Sequence, residues 1–98
     1  MATIDIRRAH KLEKPVVRQK SEELARSMEE KLGIRWHWEG ERIRFDAPSG
    51  TAKGVTGTVS VDASQVRVEI DLPFLLRPIK GMVESKVNDK LDELLGKT

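Results

Sequence analysis

The spacing of apolar side chains switches several times in this chain, and each switch marks a new element. Ile4 and Ile6 alternate with Thr3, Asp5 and Arg7, the two-residue period of a strand with one buried face. From Pro15 the period lengthens. Val17, Leu24, Met28 and Leu32 recur at helical steps with Ala25 beside them, while Glu22, Glu23, Arg26, Glu29, Glu30 and Lys31 take the other side. Pro15 suits a first helical turn, and Gly33 suits the left-handed residue after the last one. The spacing predicts a helix of about 18 residues, roughly 27 Å long at 1.5 Å per residue.

The two-residue period then returns four times. Ile34, Trp36 and Trp38 oppose Arg35, His37 and Glu39, and Ile43, Phe45 and Ala47 oppose Arg42, Arg44 and Asp46. Val55, Gly57, Val59 and Val61 oppose Thr56, Thr58 and Ser60, and Val66, Val68, Ile70 and Leu72 oppose Arg67, Glu69 and Asp71. Glu39-Gly40-Glu41 and Asp62-Ala63-Ser64 read as tight turns, and Pro48 to Gly54 as a longer loop. A final helical stripe holds Leu75, Ile79, Met82, Val83, Val87, Leu91, Leu94 and Leu95 and stops at Gly96. Arg77 precedes a proline and is biased away from helix, so a turn over Pro73 to Leu76 is expected to lead into the main helix at Pro78.

Each strand has one apolar and one polar face. The expected fold is therefore α+β and two-layered, in the order β-α-β-β-β-β-α. A five-stranded antiparallel sheet carries two helices on one face and the first strand pairs with the fifth, a small helix-grip-like layout. With 98 residues, the chain is expected to form one domain over 1–98. It is 38% hydrophobic, which supports a single core only if nearly every apolar residue joins it. One cluster exceeds what a helix stripe can bury: Leu72, Phe74, Leu75, Leu76, Ile79, Met82 and Val83. Part of it is expected to face solvent, a partner or a pocket mouth, with Arg77 and Lys80 at the water edge.

Charge is unevenly placed. Residues 1–20 hold six basic and two acidic side chains, a local +4, and the remainder sums to −2, so the basic character of a chain of net +2 is an N-terminal feature. Arg7, Arg35, Arg44 and Arg67 fall on the polar sheet face and, with Arg77, are the candidate anion contacts. Strong nucleic-acid binders concentrate a larger excess, and base stacking needs aromatics beside the arginines, whereas the alternation puts Trp36 and Trp38 on the opposite face. Nucleic acid is thus an unfavoured partner. The two tryptophans read as core between sheet and helix, or alternatively as the wall of an apolar pocket.

Catalytic signatures are sparse. His10 and His37 are the two histidines, and neither has a second ligand at metal spacing. Cysteine is absent and no Gly-x-Ser-x-Gly elbow occurs, so no nucleophile is visible. Gly50 to Gly54 has neither the spacing nor the following helix of a phosphate loop. No enzyme activity, cofactor or metal is expected. No run approaches the ~20 apolar residues of a membrane span, and the start of the chain lacks the basic-then-apolar order of a secretion signal, so a cytoplasmic protein is expected.

Three blocks carry a resemblance: Ile4-Asp5-Ile6-Arg7-Arg8-Ala9-His10, Ile34-Arg35-Trp36-His37-Trp38-Glu39-Gly40 and Phe74-Leu75-Leu76-Arg77-Pro78-Ile79-Lys80-Gly81. In their joint order they resemble the polyhydroxyalkanoic acid system protein family, from Ile4 to Leu95. The resemblance implies a small bacterial protein encoded beside storage-polyester genes; it supplies a cellular context and no catalytic residue. The resulting expectation is a non-enzymatic accessory protein that contacts a hydrophobic surface, a granule-associated protein or an acyl ligand. The contact or pocket candidates are Trp36, Trp38, Phe74, Leu75, Leu76, Ile79 and Met82, with a homodimer as a further possible partnership. A small hydrophobic-ligand module and a weak nucleic-acid binder are the alternatives.

Overall fold

The structure, a computed structural model, describes residues 3–50 and 52–96; Met1, Ala2, Lys97 and Thr98 at the two ends and Thr51 of the long loop lie outside the described residues. Its elements are β1 (Ile4–Ala9), α1 (Lys14–Leu32), β2 (Arg35–Glu39), β3 (Arg42–Asp46), β4 (Thr56–Val61), β5 (Gln65–Asp71), a 3₁₀ helix over Phe74–Ile79 and α2 (Lys80–Leu95). The sheet order is β1-β5-β4-β3-β2, antiparallel throughout, so the first strand does pair with the fifth. Helix α1 lies against β2, β3 and β4, and α2 lies beside α1 against β1.

Register turns the alternation into rows of side chains beneath the helices. Trp38, Ile43, Val59, Val68 and Ile6 form one row across all five strands. Trp36, Phe45, Gly57, Ile70 and Ile4 form the next. The middle of each row is closed to water, with Ile43, Val59, Val68 and Ile70 fully buried. From the helices come Val17, Leu24, Ala25 and Met28 of α1, and Val83, Val87 and Leu91 of α2. Ser21 is the one buried polar residue among those described, and its hydroxyl donates to the Val17 carbonyl at 2.9 Å. Such a back-bond satisfies the group without a partner from another element.

Gly57 belongs to the second row for want of space. A Cβ built there would overlap both the Phe45 ring and the Glu69 carbonyl oxygen, so the phenyl ring of the neighbouring strand occupies the volume of the missing side chain. Gly33 has a different reason. It ends α1 at φ 70, a left-handed conformation, and its N–H donates to the Glu29 carbonyl at 3.0 Å.

The rows end on buried Ile4 and Ile6 at β1 and on the tryptophans at β2, and amphipathic side chains tie both edges to the helices. At the β1 edge, Arg8 follows Ile4 and Ile6 on the inner face and sits opposite Val66. Its guanidinium reaches α2, pairing with Asp92 and donating to Asn88 Oδ1 at 2.9 Å, while the Asn88 amide donates to the Glu84 carbonyl at 3.1 Å. The Arg8 and Asp92 side chains are 15% and 29% exposed, the most enclosed ion pair among the described residues. At the β2 edge the half-buried indoles of Trp36 and Trp38 donate to Glu29 and Glu22 of α1, at 3.0 and 2.7 Å. Arg18 stacks over the Trp38 ring at 4.0 Å from its centroid.

The start of the last helix differs from the sequence reading. Its α-helical part begins at Lys80 rather than Pro78, and Phe74–Ile79 winds as 3₁₀. Proline is the physical cause. Pro78 has no N–H and holds Arg77 away from α geometry, so the chain closes three-residue turns instead: Leu76 N–H donates to the Pro73 carbonyl at 2.8 Å and the Lys80 N–H to that of Arg77. Leu75 and Met82, expected in the inward stripe, are consequently exposed. The long loop also contributes to the core, through Ala52 and Val55. Gly54 runs against the ring of Pro73, where an added Cβ would lie 3.1 Å from Cγ, and so seats the start of the 3₁₀ helix.

Two variants test this packing. Gly57→Val is expected to lower unfolding free energy in urea by about 3 kcal/mol or more, since a backbone carbonyl cannot yield as a flexible side chain can; a change under about 0.5 kcal/mol would contradict the row packing. Arg8→Ala should cost about 1–3 kcal/mol by leaving Asp92 unpaired in a half-enclosed site, and Arg7→Ala, whose side chain is 58% exposed, less than about 0.5 kcal/mol. Equal losses for the two arginines would remove Arg8 as the tie between β1 and α2.

Candidate functional site

The apolar surplus is concentrated at one end of the molecule, where the 3₁₀ helix meets α2. A 3₁₀ helix has three residues per turn, so its side chains form three rows: Leu76 with Ile79, Phe74 with Arg77, and Leu75 with Pro78. One row can face the core. Leu76 and Ile79 take it and pack against the buried cluster. The other two rows must be outside, and Phe74 and Leu75 are 80% and 85% exposed. Met82, in the first turn of α2, is 49% exposed, and Arg77, Pro78 and Lys80 are exposed beside them. The Phe-Leu-Leu run thus cannot be buried by this backbone, whichever of its residues turns inward.

The other hydrophobic candidates lie elsewhere. Trp36 and Trp38 face the helix layer from edge strand β2, on the flank of the molecule, with their N–H groups taken up by Glu29 and Glu22. They are not brought together with Phe74, Leu75 and Met82. The interior is filled: the gap between α1 and α2 bounded by Leu24, Met28, Val83 and Val87 is about 20 Å³, room for about one water. No buried side-chain polar atom among the described residues lacks a hydrogen-bond partner.

Four of the five candidate anion contacts share the outer sheet face, and all four are engaged with carboxylates. Arg67 donates to both oxygens of Asp5, at 3.1 and 2.8 Å, and lies 3.5 Å from Glu69. Arg7 reaches the same Asp5 at 3.7 Å, Arg35 pairs with Asp46 at 3.1 Å, and Arg44 lies 3.6 Å from Glu39. Arg67 holds the Asp5 carboxyl below its usual range, and Asp5 in turn raises Arg67. Glu39 is lowered first by its hydrogen bond with His37 and then by Arg44. A trough of about 500 Å³ runs along this face over Thr56, Gly57 and Thr58, where short side chains lie between the longer ones of β3 and β5. Its walls alternate in sign, so no concentrated positive field develops there. Arg77 is remote from this lattice and makes no ion pair among the described residues.

Sequence reasoning missed Arg8 and the two glutamates under the indoles. The signal for Arg8 was present, since Ile4, Ile6 and Arg8 share one parity. The partners of the tryptophans need the helix phase as well as the strand phase. At the tips of the sheet, Asp62 caps its own turn, accepting from the N–H groups of Ser64 and Gln65 at 2.7 Å each, which lowers its pKa. His10 bonds the Asp62 carbonyl oxygen at 2.9 Å and accepts from the Leu12 N–H at 3.1 Å. Both His10 and Asp62 therefore have structural duties. No group of three or more His, Cys, Asp or Glu residues that could hold a metal occurs among the described residues. Among the described residues no helix is long and apolar enough to cross a membrane.

The comparisons with known proteins agree with the three sequence blocks. No curated protein matches the chain. A family model does, over residues 4–95, which takes in every strand and both helices. By that match the chain belongs to the family described as "Putative polyhydroxyalkanoic acid system protein".

Proposed function

We propose that the protein is a non-enzymatic, cytoplasmic accessory component of the polyhydroxyalkanoate system that contacts the hydrophobic surface of the storage polyester through Phe74, Leu75 and Met82. One observation carries this reading. Two adjacent large apolar side chains, 80% and 85% exposed, stand on a short helix whose other row is fixed to the core. Exposed hydrophobics scattered singly need no explanation, but adjacent ones held on a fixed support form a contact surface. The family supplies the polyester context. The filled interior favours contact at this surface over an acyl chain held inside, since pockets for such ligands run to about 300 Å³ or more.

The energetics suit reversible association. Burying Phe74, Leu75 and Met82 contributes at most about 1.5–3 kcal/mol each, and the loss of free motion offsets part of that sum. A net 4–5.5 kcal/mol corresponds to a dissociation constant of about 0.1–1 mM for a single copy. Many copies on one particle would be held while exchanging readily.

Sedimentation with washed polyhydroxybutyrate particles tests the reading. Because both residues are exposed, the double variant Phe74→Asp, Leu75→Asp should keep the wild-type circular dichroism spectrum and unfolding midpoint, and its particle-bound fraction should fall at least about tenfold. If the folded variant binds as well as wild type, the surface contact lies elsewhere. Binding by neither protein removes the proposal.

A further inference from the structure

Resting on the reading of this end as a surface contact, we propose that the surface it meets carries anionic lipid headgroups, which Arg77, Lys80 and Lys86 engage while Phe74, Leu75 and Met82 enter the apolar layer behind them. The geometry follows from the local winding. Phe74 and Arg77 stand one 3₁₀ turn apart in one row, and Lys80 continues that row into α2. Lys86 lies four residues after Met82 on one face of α2. One aromatic is therefore followed by two cations along a single edge, and each long cationic side chain can lay its stem on the apolar layer and keep its charge at the level of the headgroups.

Among the described residues most arginines outside this end are paired with carboxylates, Arg18 and Arg42 being the exceptions. Arg7, Arg8, Arg26, Arg35, Arg44 and Arg67 all have carboxylate partners. Arg77, Lys80 and Lys86 have none among the described residues, and from Leu72 to Val83 the chain contains no Asp or Glu. The nearest acids in sequence are Asp71, which borders the outer-face trough, and Glu84, which lies two residues from Met82 and one helical turn after Lys80 but forms no ion pair with it. Lys31, at the end of α1, adds a further cation on the rim of the interhelical groove it shares with Lys86.

This excess selects among occupants. A bare polyester surface is neutral and would strip water from the cations without supplying a counter-charge. A second copy docked by two-fold symmetry would bring both copies of Arg77 and Lys80 into one interface, with no carboxylate between Leu72 and Val83 to pair them. An anionic monolayer satisfies both parts at once, apolar chains for Phe74 and Leu75 and phosphates for the guanidinium and ammonium groups.

Flotation with phosphatidylcholine vesicles, with and without phosphatidylglycerol, alongside neutral polyester particles, gives the test. Each basic side chain near an anionic surface strengthens binding about fivefold. With three cations engaged, wild type should thus prefer the anionic vesicles by about 100-fold, and added salt should erase the preference. Arg77→Gln with Lys80→Gln should lower that preference about 25-fold, to the roughly fivefold that Lys86 alone supplies. Arg42→Gln, an exposed arginine on the outer sheet face, should leave the preference unchanged. Equal binding to both vesicle types overturns the proposal. Binding to polyester particles without any vesicle preference overturns it too while leaving the surface contact standing, and binding to none of the three removes both. A shift to dimer that masks the end would assign the patch to a second copy instead.

Discussion

A five-stranded sheet that can bury only one face, in a chain with enough residues for only two helices, sets the terms for everything else in this structure. Helices α1 and α2 close the sheet from β3 across to Ile4 and Ile6 of β1, and leave the Arg8 position of β1 and the inner face of β2 partly open. An ordinary aliphatic residue there would stay wet, and a short polar one would leave a gap. Long side chains with a polar tip resolve the conflict: Arg8 stretches to Asp92 and Asn88, and Trp36 and Trp38 cover the opposite flank while their N–H groups meet Glu29 and Glu22. Edge and helix are thereby joined by directional bonds where apolar packing runs out.

The same limit explains what sequence reading could and could not recover. Strand and helix periods gave the order of elements, the sheet order and most of the core, because the inward positions were those with one consistent parity or phase. The surplus over Leu72 to Val83 was also legible as an excess, but its arrangement was not. Whether Leu75 or Leu76 turns inward depends on three residues per turn or 3.6, and two prolines, not hydrophobicity, decide it. The Arg–carboxylate lattice of the outer face escaped for a different reason. Arg67 and Asp5 are 62 residues apart, and their bond exists only because β1 returns to pair with β5.

Function follows from the division of surfaces that results. The outer sheet face is rich in arginine, but Arg7, Arg35, Arg44 and Arg67 are paired with its carboxylates, and Arg42 is its one arginine without an ion pair among the described residues. The end formed by the 3₁₀ helix and α2 is the reverse, with cations lacking carboxylate partners among the described residues next to apolar groups that the backbone cannot bury. A surface contact needs both a fixed support and an unsatisfied exterior. Leu76 and Ile79 supply the first, and Phe74, Leu75, Arg77 and Lys80 the second.

Because the chain contains no cysteine, a single substitution creates a unique labelling position, and this allows the most direct measurement. An environment-sensitive fluorophore would be attached at Leu75→Cys, and in a separate sample at Thr58→Cys on the outer sheet face, and each read before and after addition of polyester particles coated with anionic lipid. The account predicts a blue shift and protection from an aqueous quencher at position 75, with position 58 unchanged. Protection at position 58 with position 75 still open to the quencher would contradict it.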